Sequence, residues 1–199
     1  MKSAQNLSTK KKHLLIFSMA ALLLSMTAGA GPRLVADTFT ATTANMTPAG
    51  ESLRIQILEW QEADARANAV ATLAAGADAS PPFAKLPTVG YIWPKGSPVG
   101  YSVKYAHREP QPDGGERITL VTDKRLGSYD FKGWSTPSPG AGGDAPYSVV
   151  ELDLSSAGSG TGTLSLVSEV VLDEQAGTVV MKPGGPSLLT NVKRETTSP

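Results

Sequence analysis

The groups that could carry acid–base or metal chemistry in this chain are few. The sequence contains His13 and His107 and no cysteine. A nucleophilic triad would need His107 as its base, because His13 lies in a segment we expect to be removed, and no G-x-S-x-G motif is present. A zinc site would need His107 with carboxylates, since thiolates, H-x-x-x-H and H-E-x-x-H are all absent. We therefore predict that His107 is structural, with no catalytic residue, no metal site and no cofactor.

Two carboxylate pairs are the other candidates for acid–base work or calcium binding. Asp173 and Glu174 fall in a predicted turn, whereas Glu151 and Asp153 alternate with apolar residues along a predicted strand. Calcium loops gather several acidic residues at short, regular spacing around a glycine, which neither pair does. Both pairs are therefore predicted to be solvated surface. A hydrolase that uses a carboxylate or a His107-assisted site stays as an alternative.

Aromatic residues are concentrated in the middle of the chain, where nine of the twelve lie between Phe83 and Tyr147. Aromatic rings beside polar residues and turns can stack on a sugar or hold a peptide. By this criterion the candidate ligand-binding residues are Trp93, Trp134 and Tyr129. The alternative is that aromatic residues fill the core. The aromatic residues for which the core is favoured are Tyr91, Tyr101 and Tyr105.

The stretch EPQPDGGERI, residues 109–118, could be a glycine-rich anion cradle or the tip of a hairpin. Phosphate cradles place their glycines between a strand and a helix, but here a second strand pattern follows. We predict a hairpin with a two-residue type I′ loop at Asp113-Gly114. The cross-strand pairs that this loop implies are Tyr105 with Thr122 and His107 with Leu120.

The elements that must position these residues are mostly strands. Leu53, Ile55 and Ile57 alternate with polar residues, as in a half-buried strand. A helix follows over QEADARANAVATLAAG, residues 61–76, with Ala63, Ala67, Val70 and Ala74 on one face. From residue 88 onward, strand patterns recur with turn signals between them. The predicted fold is mainly β, an antiparallel sandwich or flattened barrel with one inserted α-helix.

The N-terminus has the pattern of a secretory signal peptide. Three lysines, residues 10–12, precede an apolar run that ends at Ala28-Gly29-Ala30. We expect a signal peptide over residues 1–30, a flexible arm over 31–50 and a single mainly-β domain over 51–195. The expected location is periplasmic or secreted, with membrane contact only through an uncleaved signal. Removal of 1–30 changes the formal charge from 0 to about −4, which argues against nucleic-acid binding.

Four segments resemble a family of uncharacterised exported bacterial proteins. They are VGYIW, YSVKYAHREPQPDGGERITLVTDKRLG, YSVVELDL and LTNVKR, and the resemblance extends over about Ser52 to Arg194. It implies an exported bacterial origin and brings no functional residues with it.

Three functions remain compatible with these patterns. The favoured one is an exported, non-enzymatic module that binds a small ligand or an envelope protein through an aromatic patch. The alternatives are the envelope hydrolase described above and a structural accessory of an envelope assembly.

Overall fold

Ten β-strands and one α-helix make up the described part of the computed structural model, which comprises residues 34–46, 49–75, 84–128, 144–167, 170–181 and 187–196. In chain order they are β1 (Asp37–Thr43), β2 (Ser52–Ile57), α1 (Ala63–Ala75), β3 (Gly90–Pro94), β4 (Tyr101–Pro110), β5 (Glu116–Thr122), β6 (Asp144–Leu154), β7 (Ser159–Val167), β8 (Val170–Asp173), β9 (Thr178–Met181) and β10 (Ser187–Glu195). The prediction of a mainly β fold with one α-helix is confirmed.

Eight of the strands close into an antiparallel barrel. Strands β1 to β7 follow one another around it, and β10 closes the ring between β7 and β1. Strands β8 and β9 form a separate two-stranded sheet inserted between β7 and β10. Of the two predicted architectures, the structure has the barrel and not the sandwich.

The first barrel strand corrects the sequence prediction. Residues 31–50 were predicted to be a flexible arm, which is wrong for Asp37–Thr43, because these residues pair with both β2 and β10. Phe39, Ala41 and Thr43 are buried and alternate with more exposed threonines. Threonine is β-branched and suits a pleated strand. The pattern is easily missed because Phe39 is the only large apolar residue in it.

The interior of the barrel is a packed core. Apolar side chains from all eight strands point into it. The interior of an eight-stranded barrel is only just wide enough for side chains, so large side chains fill it. The buried strand residues of this core are Phe39, Ala41, Leu53, Ile55, Ile57, Ile92, Tyr101, Val103, Ala106, Ile118, Leu120, Val150, Leu152, Leu154, Leu164, Leu166, Leu189 and Val192. The predicted inward alternation in β2 and β6 is therefore confirmed.

Helix α1 packs on the outside of the barrel together with the β8–β9 sheet. Its buried residues are Ala69, Val70 and Leu73, which share a second apolar cluster with Tyr105 of β4 and Val179 of β9. The predicted helix is confirmed, but its predicted buried face was wrong except at Val70. Ala63 and Ala74 are exposed. Alanine at helical spacing is ambiguous, and Leu73 identifies the buried face better.

A β-bulge at Lys104 decides which residues of β4 face the core. Val103 pairs with Thr122 and Tyr105 pairs with Val121, so Lys104 is an extra residue in β4. The bulge shifts the alternation by one residue. Val103, which precedes the bulge, points into the barrel. Tyr105, two residues later, points outward and packs beneath α1.

The polar groups of the bulge find partners in neighbouring segments. The Gln61 amide nitrogen donates to the Lys104 carbonyl at 3.2 Å, and its oxygen accepts from the Ala106 amide at 2.9 Å. The Lys104 ammonium is buried and donates to the carbonyls of Ala84 and Leu86 and to the Thr88 hydroxyl, at 3.3, 2.9 and 3.0 Å. The lysine therefore fastens residues 84–88 to the barrel wall.

The hairpin over residues 109–118 is confirmed, but its turn differs from the prediction. Gly114 N donates to Gln111 O and Gln111 N donates to Gly115 O, so the loop has three residues, Pro112 to Gly114. Gly114 has φ +81°. This is a type I turn followed by a left-handed glycine, for which proline at the second turn position is favoured.

The longer loop moves the register of the hairpin by one residue. The predicted pairs of Tyr105 with Thr122 and His107 with Leu120 are wrong. Tyr105 lies opposite Val121, and His107 lies opposite Thr119. The prediction relied on Asp113-Gly114 as a two-residue signal and gave no weight to the preceding proline.

We predict that Gly114→Val lowers the free energy of unfolding by more than about 1 kcal/mol, because a β-branched residue resists the left-handed conformation. Gly114→Asn should cost less, since asparagine tolerates this region. Urea unfolding of both variants measures the difference. Equal losses would contradict the assigned turn.

We predict that Gln61→Leu destabilises the protein by about 2–4 kcal/mol, because it leaves the carbonyl of Lys104 and the amide of Ala106 without partners in a buried place. Gln175→Leu, in the exposed turn after β8, is the matched control and should change stability by less than about 0.5 kcal/mol. Thermal and urea unfolding check both. Similar stabilities for the two variants would show that Gln61 does not support the bulge.

Candidate functional site

The outer face of β1, β2 and β3 carries a row of polar and aromatic side chains. Thr40 lies opposite Arg54, and Arg54 lies opposite Trp93. One step along the strands, Gln56 lies opposite Tyr91. These residues point outward because their strand neighbours, such as Ile55 and Ile92, fill the interior. The closed sheet therefore presents a continuous surface of aromatic, cationic, amide and hydroxyl groups.

Trp93 and Tyr91 form a pair on this face. Their ring centroids are 5.1 Å apart and their planes are tilted by 39°. Both side chains are half-buried, and in the described part of the structure the Trp93 indole N–H has no protein acceptor. A tilted pair offers two ring surfaces at an angle to each other, so one ligand could contact both.

Gly100 sets the position of the Trp93 indole. A Cβ added at Gly100 would lie 2.5 Å from Cε2 and 2.6 Å from Nε1 of Trp93, which is closer than van der Waals contact allows. The indole therefore rests on the backbone that enters β4. Glycine is needed here for close approach, and its role was not predicted from the sequence.

Trp93 of this pair lines a cleft with a volume of about 390 Å³. The residues that line this cleft include Thr40, Ser52, Arg54, Gln56, Trp93 and Lys95. Arg54 and Lys95 are exposed, and neither makes an ion pair within the described residues. No carboxylate is among the described residues that line the cleft. We call this surface the Trp93 cleft.

The predictions for the other aromatic residues have different outcomes. Tyr129 and Trp134, two of the three candidate ligand-binding residues, lie outside the described residues. Tyr101 is buried in the barrel and its hydroxyl accepts from the Gly127 amide at 3.0 Å, as the core interpretation requires. Tyr105 is also buried, but in the outer cluster beneath α1. The core interpretation was wrong for Tyr91, which lies beside Trp93.

His107 lies on the outer wall of the barrel, away from the Trp93 cleft. It sits edge-on to Tyr105, with ring centroids 6.4 Å apart. Burial lowers the pKa of His107, and the nearby charge of Arg66 lowers it further, while Glu109 acts in the opposite direction. The imidazole is thus favoured in its neutral form, packed against an aromatic ring.

The carboxylate pairs lie on the surface as predicted. Asp153 forms an exposed ion pair with Arg117, which raises the pKa of that arginine through a hydrogen bond and its charge. Asp173 accepts hydrogen bonds from two backbone amides of the turn after β8. Within the described ranges, no group of three or more His, Cys, Asp or Glu side chains could hold a metal ion.

A second polar cluster, which sequence reasoning missed, lies at the barrel end near the 109–118 hairpin. Arg194 of β10 forms ion pairs with Asp37 of β1, at 3.1 Å, and with Glu116 of β5. The Trp60 indole donates to Asp37 at 2.8 Å, and Arg108 lies over the Trp60 ring. A cleft of about 410 Å³ adjoins this cluster. Because Arg194 is neutralised by its two carboxylates, we assign the cluster a structural role.

No protein-family model, curated protein or solved structure matches this chain. The resemblance to exported bacterial proteins therefore stays a prediction. The predicted signal peptide lies outside the described residues, and the helix that is described is neither long nor apolar enough to cross a membrane.

We predict that His107 makes stability depend on pH in a defined direction. The pKa of His107 in the folded protein is below 6.5, the ordinary value for histidine in an unfolded chain. Below pH 6.5 the unfolded chain therefore binds more protons than the folded protein does. Stability should therefore fall as the pH drops from about 6.5 through the folded pKa, and His107→Gln should remove this component. Urea unfolding of both proteins at pH 7.5 and 5.0 measures it. A larger loss on acidification in the variant than in the wild type would contradict the assignment.

Proposed function

We propose that this protein is a non-enzymatic binding module that holds a saccharide chain in the Trp93 cleft. The observation that carries the proposal is the half-buried Trp93–Tyr91 pair on an outer sheet face, in which Trp93 lines a cleft together with hydroxyl and amide groups. The proposal keeps the expectation, based on residues 1–30, that the protein acts in the periplasm or outside the cell.

The packed interior supports a site on the outside of the barrel. Ligand-binding barrels of this size keep their interior open, whereas here apolar side chains from all eight strands occupy it. The barrel also has no free strand edge, since β1 and β10 pair with each other. Strand addition to the barrel, one way of assembling with an envelope protein, would require this pairing to open.

The composition of the cleft favours a saccharide over a peptide. The apolar face of a pyranose ring packs on the electron-rich face of an indole or phenol ring. The hydroxyl groups at the ring edge need partners that both donate and accept hydrogen bonds, and Thr40, Ser52 and Gln56 supply them. A peptide in an extended conformation would need backbone partners, which a fully paired sheet face does not offer.

The position of His107 weighs against the hydrolase alternative. A general base must come within hydrogen-bond reach of the proton it removes. His107 belongs to the outer wall formed by β4 and β5, whereas the Trp93 cleft is formed by β1 to β3. The cations, hydroxyls, amide and apolar groups of the cleft can bind and orient a saccharide, but its described lining residues include no acid to protonate a glycosidic oxygen.

We predict that Trp93→Ala abolishes saccharide binding and that Gly100→Ala weakens it about tenfold or more by displacing the indole, with little change in the unfolding midpoint. Val99→Ala, an exposed neighbour, is the matched control and should bind as the wild type. Binding is measured by calorimetry against a panel of neutral and acidic hexasaccharides, with near-ultraviolet circular dichroism to follow the indole. Saccharide binding that survives both Trp93→Ala and Gly100→Ala would overturn the assigned site.

A further inference from the structure

The two cations of the Trp93 cleft are the next feature that needs an explanation. Some basic residues of the described structure have partners: Arg117 pairs with Asp153, Arg194 pairs with Asp37, and Lys104 binds carbonyl groups. The exposed Lys85 and Lys193 form no ion pair among the described residues, but neither lines a cleft beside an aromatic ring. Arg54 and Lys95 are exposed and have no ion-pair partner among the described residues. Both residues lie beside Trp93, where a negatively charged ligand would provide them with an ion-pair partner.

We propose that the saccharide is acidic, a chain of uronic acid residues whose carboxylates are bound by Arg54 and Lys95. This inference rests on the proposed saccharide-binding function and specifies its ligand. The planar guanidinium of arginine can donate two parallel hydrogen bonds to one carboxylate. Lysine adds a positive charge on a flexible side chain.

The sheet geometry places the cations at suitable distances from the stacking surface. Arg54 is the cross-strand neighbour of Trp93, and neighbouring strands are about 4.8 Å apart. A sugar ring stacked on the indole therefore extends its ring substituents toward the guanidinium. Lys95 follows the end of β3, where its backbone amide donates to Ser52 O at 2.8 Å. The row from Thr40 through Arg54 to Trp93 spans about 10 Å, room for about two sugar residues.

The charge distribution favours an acidic saccharide over single-stranded nucleic acid, the other polymer that combines rings with negative charge. Binding of a nucleic acid strand uses a basic groove that follows the backbone over several nucleotides. Here the cations of the cleft are Arg54 and Lys95, and the whole chain has a formal net charge of 0. Two cations are enough for the widely spaced carboxylates of a uronic acid chain.

Hexagalacturonate and its fully methyl-esterified form provide matched probes, because they share sugar rings and differ in charge. The wild type should bind the acidic probe at least about tenfold more tightly than the ester at low salt, and this preference should shrink as salt is added. Arg54→Gln and Lys95→Gln should each weaken binding of the acidic probe more than binding of the ester, so that the preference falls several-fold. Lys85→Gln, an exposed lysine in the segment before β3 that does not line the cleft, is the control and should change neither affinity.

The outcomes separate this inference from the proposed function. Equal affinity for the acid and the ester, with both lost in Trp93→Ala, would overturn the acidic ligand and leave saccharide binding in place. Binding of neither probe, and of no other hexasaccharide in the panel, would overturn both. A single-stranded decanucleotide that binds in an Arg54-dependent manner, with no saccharide binding, would replace the saccharide by a nucleic acid.

Discussion

The pairing of the first barrel strand with the last is the contact on which the rest of the structure depends. Strands β1 and β10 hydrogen-bond along their length, and Thr38 lies opposite Glu195. At this seam Arg194 joins the two strands to β5 through Asp37 and Glu116, and its guanidinium covers the Phe39 ring. Without this contact the apolar interior would face water and both flanking strands would have free edges.

Closure also determines where a ligand can bind. Because the ring is complete and its interior is filled, the proposed binding site lies on an outer face. One outer face is covered by α1 and the β8–β9 sheet, which pack on Tyr105, Val121 and Val149. The bulge at Lys104 makes this possible, since it turns Tyr105 outward. The part of the wall formed by β1 to β3 keeps Trp93 and its polar neighbours accessible.

Strands with a regular alternation of apolar and polar residues could be predicted from the sequence, as in Leu53, Ile55 and Ile57. The errors occur where a single residue changes the pattern. The extra residue Lys104 reverses the alternation in β4, and Pro112 lengthens the hairpin loop by one residue. A period-two analysis cannot detect an inserted residue whose partners, such as Gln61, are distant in the sequence.

The candidate site could be predicted only in part, for a related reason. Trp93 was recognised from its position beside a turn. Tyr91, Arg54 and Gly100 were not, because their significance comes from neighbouring strands and from the approach of a backbone to a ring. A linear sequence does not show which residues of β2 lie opposite those of β3 until the register is known.

The seam has one more consequence, for the connectivity of the chain. Since β1 begins and β10 ends at the same end of the barrel, Asp37 and Glu195 are close in space although they are far apart in sequence. A short linker could join them, and new termini could be opened in the exposed turn at residues 49–50 between β1 and β2. Such a circularly permuted chain would keep every barrel contact, and it would move both termini to the opposite end of the barrel. The strands would then keep their spatial order in the barrel although their order in the sequence had changed.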